Sequence, residues 1–337
     1  MIDRLPPRIV RRLVFAPLVL ALSLLLLAAS PALLVLAVIA DLILPGNWRT
    51  TRIAAFGTAY LALEVVGLVG MFILWISSGL GLRIGSTWFI GVHFAFMRWW
   101  LRTIDRVARR CFHIKVVIED RPEPRAGPIL VFGRHAGPGN SLLLIGTILV
   151  GYGRRPRCVM LAKLQWEPLY DTMLNRLPNR FIRHDPTQRD IYLKAIGELA
   201  DGLGDDDAFV LFPEGKDFTP RVRKRAIAYL RDRGYEGAAQ RAESMRYVLP
   251  PRHGGVMAAL KRARGADVVF VAHALLEDVG TFKDLWRQIP LRRPIVARYW
   301  RIPPSEVPKE EEELIEWLYG WWERIDGWIA DHTARAS

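Results

Sequence analysis

From Leu13 to Ala40 the chain runs for 28 residues without a charged side chain. A helix of about 20 apolar residues crosses the hydrocarbon core of a bilayer. A second run, Ile53 to Leu82, is broken only by Glu64. The two runs predict an N-terminal membrane region over residues 1–85, with transmembrane helices at about 13–40 and 53–82 joined near Pro45-Gly46-Asn47. A secretory signal has a shorter apolar core than the first run. Pro31 leaves a re-entrant hairpin as the alternative to two spans. Arg4, Arg8, Arg11 and Arg12 precede the first run, and Arg83, Arg98, Arg102, Arg106, Arg109 and Arg110 follow the second, with only Arg49 and Arg52 between. The arginine excess at both outer ends places them, and everything after residue 83, on the cytoplasmic face. The expectation is an integral membrane protein of the bacterial cell membrane. Glu64 is costly in lipid and is a functional candidate for that reason; the alternative is a helix–helix hydrogen bond. Residues 86–110 mix tryptophan and phenylalanine with arginine, which suits a helix at headgroup level or one packed on the soluble domain.

The 337 residues are 51% hydrophobic and carry a net charge of +13 with two cysteines. The apolar segregation excludes a disordered chain, a disulfide scaffold and a repeat protein. Cys111 and Cys158 form no CxxC pair and give no zinc site. The basic excess calls for an anionic partner, such as a membrane surface or a phosphorylated substrate. Nucleic acid is disfavoured, because two membrane spans and the apolar strands explain the protein better.

From residue 86 to 337 the pattern predicts a cytoplasmic domain ending in an amphipathic helix. Strands are expected at His113–Glu119, Ile129–Phe132, Cys158–Leu161, Ala208–Phe212, Val268–Ala272 and Ile295–Tyr299. Helices are expected at about 141–151, 166–177, 187–203, 221–234, 253–264 and 309–332. This alternation is an α/β pattern, a mixed sheet covered by helices. Leu314, Trp317, Leu318, Trp321, Ile325, Trp328 and Ile329 mark one face of the last helix.

There is no P-loop, GxGxxG, GxSxG or HExxH. Three segments stand out instead. In Val131-Phe-Gly-Arg-His135-Ala-Gly-Pro-Gly-Asn140-Ser141 a strand feeds a Gly/Pro turn and a helix. Asn140 could fold back to orient the His135 imidazole, as a general base requires, or Asn140 or Ser141 could serve as the helix N-cap. In Phe209-Val-Leu-Phe-Pro-Glu214-Gly-Lys216-Asp-Phe-Thr219 a buried strand delivers Glu214 and Lys216 to its carboxyl end, where open α/β sheets bind ligands. In Asn179-Arg180-Phe-Ile-Arg183-His184-Asp185 two guanidinium groups are suited to phosphate. His184 and Asp185 are only sequence neighbours and define no dyad.

In this order the segments resemble the glycerophospholipid acyltransferase superfamily, the 1-acyl-sn-glycerol-3-phosphate (lysophosphatidic acid) acyltransferases in particular. His135 and Asn140 stand where that family has His, four residues, Asp. Phe181-Ile182-Arg183 is similar to its second motif, and Phe212-Pro213-Glu214-Gly215-Lys216 matches its third. Lys216-Asp-Phe-Thr and Val248-Leu-Pro-Pro-Arg252-His-Gly look like the branch containing lysocardiolipin acyltransferases. Val268–His273 stands for the fourth motif but lacks its proline. The resemblance spans about residues 86–303 and implies a glycerol-3-phosphate acyltransferase-like domain. It also implies transfer of a fatty acyl group from acyl-CoA or acyl carrier protein to the hydroxyl of a lysophospholipid, with 1-acylglycerol-3-phosphate as the first candidate and phosphatidic acid as product. His135 with Asn140 would be catalytic, and Arg134, Arg180, Arg183, Glu214, Gly215 and Lys216 would bind substrate. The Gly-rich turn would offer N–H groups to the anionic intermediate. No metal and no cofactor beyond the acyl donor is implied. Asn140 in place of Asp motivates the alternative, a catalytically silent relative that binds lipid or acyl-CoA.

Overall fold

The computed structural model describes residues 5–120, 125–183, 186–275 and 286–336. The chain divides into two compact units. One comprises Met1–Ile114, Met160–Asp185 and Trp286–Arg292; the other comprises Lys115–Val159, Pro186–Leu285 and Arg293–Ser337.

The first unit is helical. Helix α1, Arg8–Ile43, and helix α2, Arg49–Ser77, are each long and apolar enough to cross a membrane. Helix α1 runs without a break through Pro31, so the hairpin alternative is not formed. Its only buried residues from Ala16 onward are Ser23, Ser30 and Ala37. Small side chains at that seven-residue interval form one stripe along which α2 approaches closely. Leu13, Leu18, Leu25, Leu36 and Leu42 are exposed. An apolar surface of that extent is stable only when lipid or another apolar partner covers it. On α2 the buried face is Leu63, Glu64, Gly67, Leu68 and Met71. Helix α3, Thr87–Phe112, is capped by Ser86, whose hydroxyl accepts from Phe89 N–H. It buries Phe89, Phe94, Met97 and Trp100 and leaves Trp88 and Trp99 exposed.

Within this unit polar contacts fix the apolar helices. Arg11 reaches Asp171 at 2.7 Å, and Arg176 donates to Met71 O at 2.8 Å. Helix α5, Pro168–Leu174, begins at Glu167, whose carboxylate accepts from Leu169 and Tyr170 N–H. At Gly67 an added Cβ would lie 2.5 Å from Leu169 Cδ2, so a larger residue there would force the Leu169 side chain or α5 to shift.

The sheet has seven strands in the order β1-β7-β6-β2-β5-β3-β4. They are β1 Val116–Glu119, β2 Ile129–Gly133, β3 Arg155–Leu161, β4 Arg180–Ile182, β5 Asp207–Leu211, β6 Asp267–Ala274 and β7 Ile295–Ile302. Strands β6, β2, β5 and β3 run parallel. The β7–β6 pair is antiparallel and β1 follows β7 in parallel, so the sheet is mixed. Strand β2 is wholly buried, as the continuous run Ile129–Phe132 requires of a central parallel strand.

Helices α4 Pro138–Gly146, α6 Arg189–Ala200, α7 Pro220–Asp232, α8 Glu236–Ser244, α9 His253–Arg262 and α10 Glu311–Ala336 accompany the sheet. Helix α4 continues as a wider π turn over Thr147–Gly151. On α10 the expected stripe is apolar packing: its Leu318, Ile325 and Ile329 are fully buried, as is Trp322 outside it, and Trp321 stacks on Phe270 at 4.8 Å.

Candidate active site

The parallel register brings two of the three segments together. Phe132 on β2 pairs with Leu211 on β5, and Gly133 pairs with Val271 on β6. The turns after β2 and β5 therefore leave the sheet side by side at its carboxyl edge, where unpaired main-chain groups and open space admit ligands.

Two main-chain contacts clasp these turns. His135 N–H donates to Glu214 Oε1 at 3.0 Å, and Phe218 N–H donates to His135 O at 2.8 Å. The His135 ring stacks on Phe212 with centroids 4.4 Å apart. Its Nε2 lies 3.2 Å from Asp217 Oδ1. The imidazole is mostly buried, at 17% exposure.

Glu214 is 2% exposed. Its second oxygen accepts from Leu249 N–H at 3.0 Å, so both oxygens hold protein backbone. Its carboxylate is therefore a brace for the turn, and the expectation that it holds substrate has no free oxygen to act through. Burial pushes its pKa up to about 7, against the opposing pull of Arg134 and the two N–H groups. The folded value lies above the ordinary one, so the stability it contributes is full below about 4.5 and is lost as pH rises through about 7. Glu214→Gln puts an amide donor against a donor N–H and should destabilise the protein by about 1–3 kcal/mol. It should also flatten the fall in stability between pH 5 and 8, and urea titrations at both pH values measure this. Equal pH dependence in the two proteins would contradict it.

Arg134 is wholly buried. Its Nη2 and Nε donate to Tyr247 O at 2.7 and 3.2 Å, and its Nη1 donates to His273 O at 3.3 Å. Expected as a substrate contact, it is a structural brace, because no donor of it faces solvent.

Asn140 does not cap its helix. That position is Gly137, whose φ of +126° is open to glycine. The Asn140 amide Nδ2 lies 3.0 Å from His273 Nδ1, and both side chains are buried. Burial first, and Arg134 second, lower the His273 pKa to about 3, so the amide donates to a neutral ring protonated on Nε2. Asn140 Oδ1 is buried and accepts no hydrogen bond from any described residue.

Gly215 closes the turn with φ +69°, and its N–H donates to Phe212 O at 3.0 Å. Lys216 is exposed beside it. The Arg252 guanidinium lies over Gly215, where a Cβ would sit 3.4 Å from Cζ, and Arg252 N–H donates to Pro213 O at 2.9 Å. No carboxylate pairs with Arg252 among the described residues. Arg180 and Arg183 belong to the other unit, on and just after β4. His184 and Asp185 lie outside the described residues.

Sequence reading passed over Asp217 and Arg252 as site residues. Asp217 sat within a quoted segment, but its partner is set by strand adjacency. Arg252 sat in a quoted stretch 37 positions beyond Gly215. Among the described residues no group of three or more His, Cys, Asp or Glu is placed to hold a metal.

No family model matches the sequence, and no curated protein matches it. Among solved structures, the chain is similar to the 1-acyl-sn-glycerophosphate (LPA) acyltransferase PlsC from Thermotoga maritima. Identity is 16% and the TM-score is 0.48, over 83% of this chain and 97% of that one.

Proposed function

We propose that this chain is a membrane-bound acyltransferase that moves a fatty acyl group from a thioester, acyl-CoA or acyl carrier protein, to the hydroxyl of a lysophospholipid. The observation that carries the reading is the clasp of His135 to the Phe-Pro-Glu-Gly turn at the carboxyl edge of a parallel sheet. The motif resemblance and the exposed apolar faces of α1 and α2 support it, since acceptor and product both live in a bilayer. In this reading α1 and α2 span the membrane and the sheet lies on its cytoplasmic face.

The chemistry follows from the residues. The acceptor hydroxyl oxygen attacks the thioester carbonyl as His135 takes the hydroxyl proton. The C–O bond forms, and negative charge collects on the carbonyl oxygen near the Gly137 turn, whose N–H groups are suited to it. Collapse breaks the C–S bond, and the departing thiolate recovers the proton from His135. Lys216 and Arg252 supply cations for the acceptor phosphate. With 1-acylglycerol-3-phosphate as acceptor the product is phosphatidic acid. Arg252→Ala should raise KM for a phosphate-bearing acceptor about 10-fold with kcat little changed, the size expected for one charge-assisted hydrogen bond. Initial rates against acceptor concentration measure this, and an unchanged KM would contradict it.

A second reading, a silent lipid or acyl-CoA binder, is favoured by one observation: Asn140 is turned to His273. The experiment that separates the two supplies purified protein with labelled oleoyl-CoA or oleoyl carrier protein and a panel of lysophospholipids. The proposal expects a labelled phospholipid from at least one acceptor. Saturable binding of donor or acceptor with no product from any pair would establish the second reading.

A further inference from the structure

Helix α7 places its cations where a helix is least suited to them. It is 13 residues long, and the Thr219 hydroxyl caps it by accepting from Val222 N–H at 3.1 Å. Its first two turns hold Arg221, Arg223, Lys224 and Arg225 and no acidic residue. The amino end of a helix carries partial positive charge, so cations there are unfavourable, and like charges three and four positions apart repel. One of the four has an internal task. Arg223 donates through Nε to Met245 O at 2.6 Å, and through Nη2 to Ala242 O and Glu243 O at 3.1 and 2.8 Å. It lies on the side of Ile227, the buried residue of α7. The other three are exposed. They share the opposite face of the helix, and no carboxylate pairs with them among the described residues. That face continues through exposed Ala228, Tyr229 and Arg231, the last of which pairs with Glu243.

We propose that the exposed face of α7, with Arg221, Lys224 and Arg225 at its centre, docks the acyl donor in a protein-borne form: the acidic surface of a carrier protein that presents its thioester on a flexible arm. The face starts beside the candidate site. Phe218, whose N–H donates to His135 O at 2.8 Å, immediately precedes the Thr219 cap, and the helix is about 20 Å long at 1.5 Å per residue. A partner lying along it is within one helix length of His135. Negative charge complements both the unpaired cations and the positive end of the helix. An exposed helix face is convex and offers a small nucleotide no enclosing cleft, whereas a row of charges along a helix matches a protein surface. It also holds no leucine, isoleucine, phenylalanine or tryptophan, the side chains with which an interfacial helix enters lipid. The inference rests on the acyltransferase reading and names its donor, and its test includes a readout that needs no turnover.

That readout is the anisotropy of a fluorescent oleoyl carrier protein titrated with the purified full-length chain. Wild type should bind with an affinity that falls as salt rises. The triple variant Arg221→Glu, Lys224→Glu, Arg225→Glu should bind about 10-fold more weakly or worse. Acidic residues suit the first turns of a helix, so the variant keeps α7, and a protease digest beside wild type checks this. The corresponding triple glutamine variant, which only removes charge, should fall between the two. In turnover, KM for oleoyl carrier protein should rise in the glutamate variant by about 10-fold while KM for oleoyl-CoA stays within about twofold. The proposal is overturned if wild type does not bind the carrier protein, or if both triple variants bind it as wild type does. It is also overturned if KM rises equally for both donors, which would assign the face to the phosphate-bearing arm they share. Carrier binding that the variants lose, with no product from wild type and any donor–acceptor pair, would uphold the surface and reject the acyltransferase reading instead.

Discussion

In membranes carrying His135→Ala, acyl transfer falls by about 10²–10⁴-fold, the range by which a positioned general base accelerates a reaction. The loss is chemical and not structural, because what ties residue 135 to its surroundings is main chain. Its N–H donates to Glu214 and its carbonyl accepts from Phe218, and alanine retains both groups. The ring, its stack on Phe212 and its contact with Asp217 disappear. The variant should therefore insert, resist protease as wild type does and bind donor with similar affinity while making almost no product. Initial rates at saturating donor and acceptor, beside a protease digest of the same membranes, check this. A variant that turned over at the wild-type rate would remove the base from the mechanism.

One residue earlier, the expected outcome reverses. Arg134→Met should cost about 3–5 kcal/mol of stability, the size seen when one partner of a buried charged group is removed. The guanidinium is inaccessible and supplies three donors to two carbonyls, Tyr247 O and His273 O. It is also the cation that offsets the buried Glu214 carboxylate. Methionine fills much of the volume but leaves those oxygens unpaired and Glu214 alone in a low-dielectric interior. Against a total stability of about 5–15 kcal/mol, the loss is large. It should appear as a marked fall in the temperature at which the larger unit loses protease resistance. An unchanged temperature would show that the guanidinium does not brace the site. Under the proposed function the adjacent side chains Arg134 and His135 would serve stability and chemistry separately, a division the sequence motif does not show.

Much of the fold was legible because its signals are local. The mixed α/β architecture is present as expected; the expected β2 ends one residue short of the strand found, and the expected β5 is shifted by one residue at both ends. These runs are short, apolar and bounded by turn residues, which is the pattern of a buried strand. The first strand starts at Val116 and not at His113, because His113 takes a left-handed backbone, φ +57°, that ends α3. Strand β4, Arg180–Ile182, was missed because three residues show no period. Helix α8 was missed because its stretch is polar and buries only Ala239 and Ala242.

The site was legible as segments and not as contacts. Turn chemistry marked the segments around His135 and Glu214, and parallel pairing of β2 with β5 places them side by side. What spacing could not supply was partnership. Asn140 lies five positions from His135 yet its amide faces His273, 133 positions away. Asp217 reaches His135 across 82 positions, because adjacent strands deliver their turns to one edge. Which oxygens of Glu214 are free depends on Leu249, on a segment with no local link to it.

The most direct test of the central claim counts both products of one reaction. Purified wild-type protein in lipid is given acyl-CoA and the best acceptor from the panel, and free thiol and new phospholipid ester are measured in the same samples over time. The account predicts equal amounts of thiol and ester, rising together, with neither above background in His135→Ala. Thiol without ester, or ester formed equally fast by His135→Ala, would contradict it.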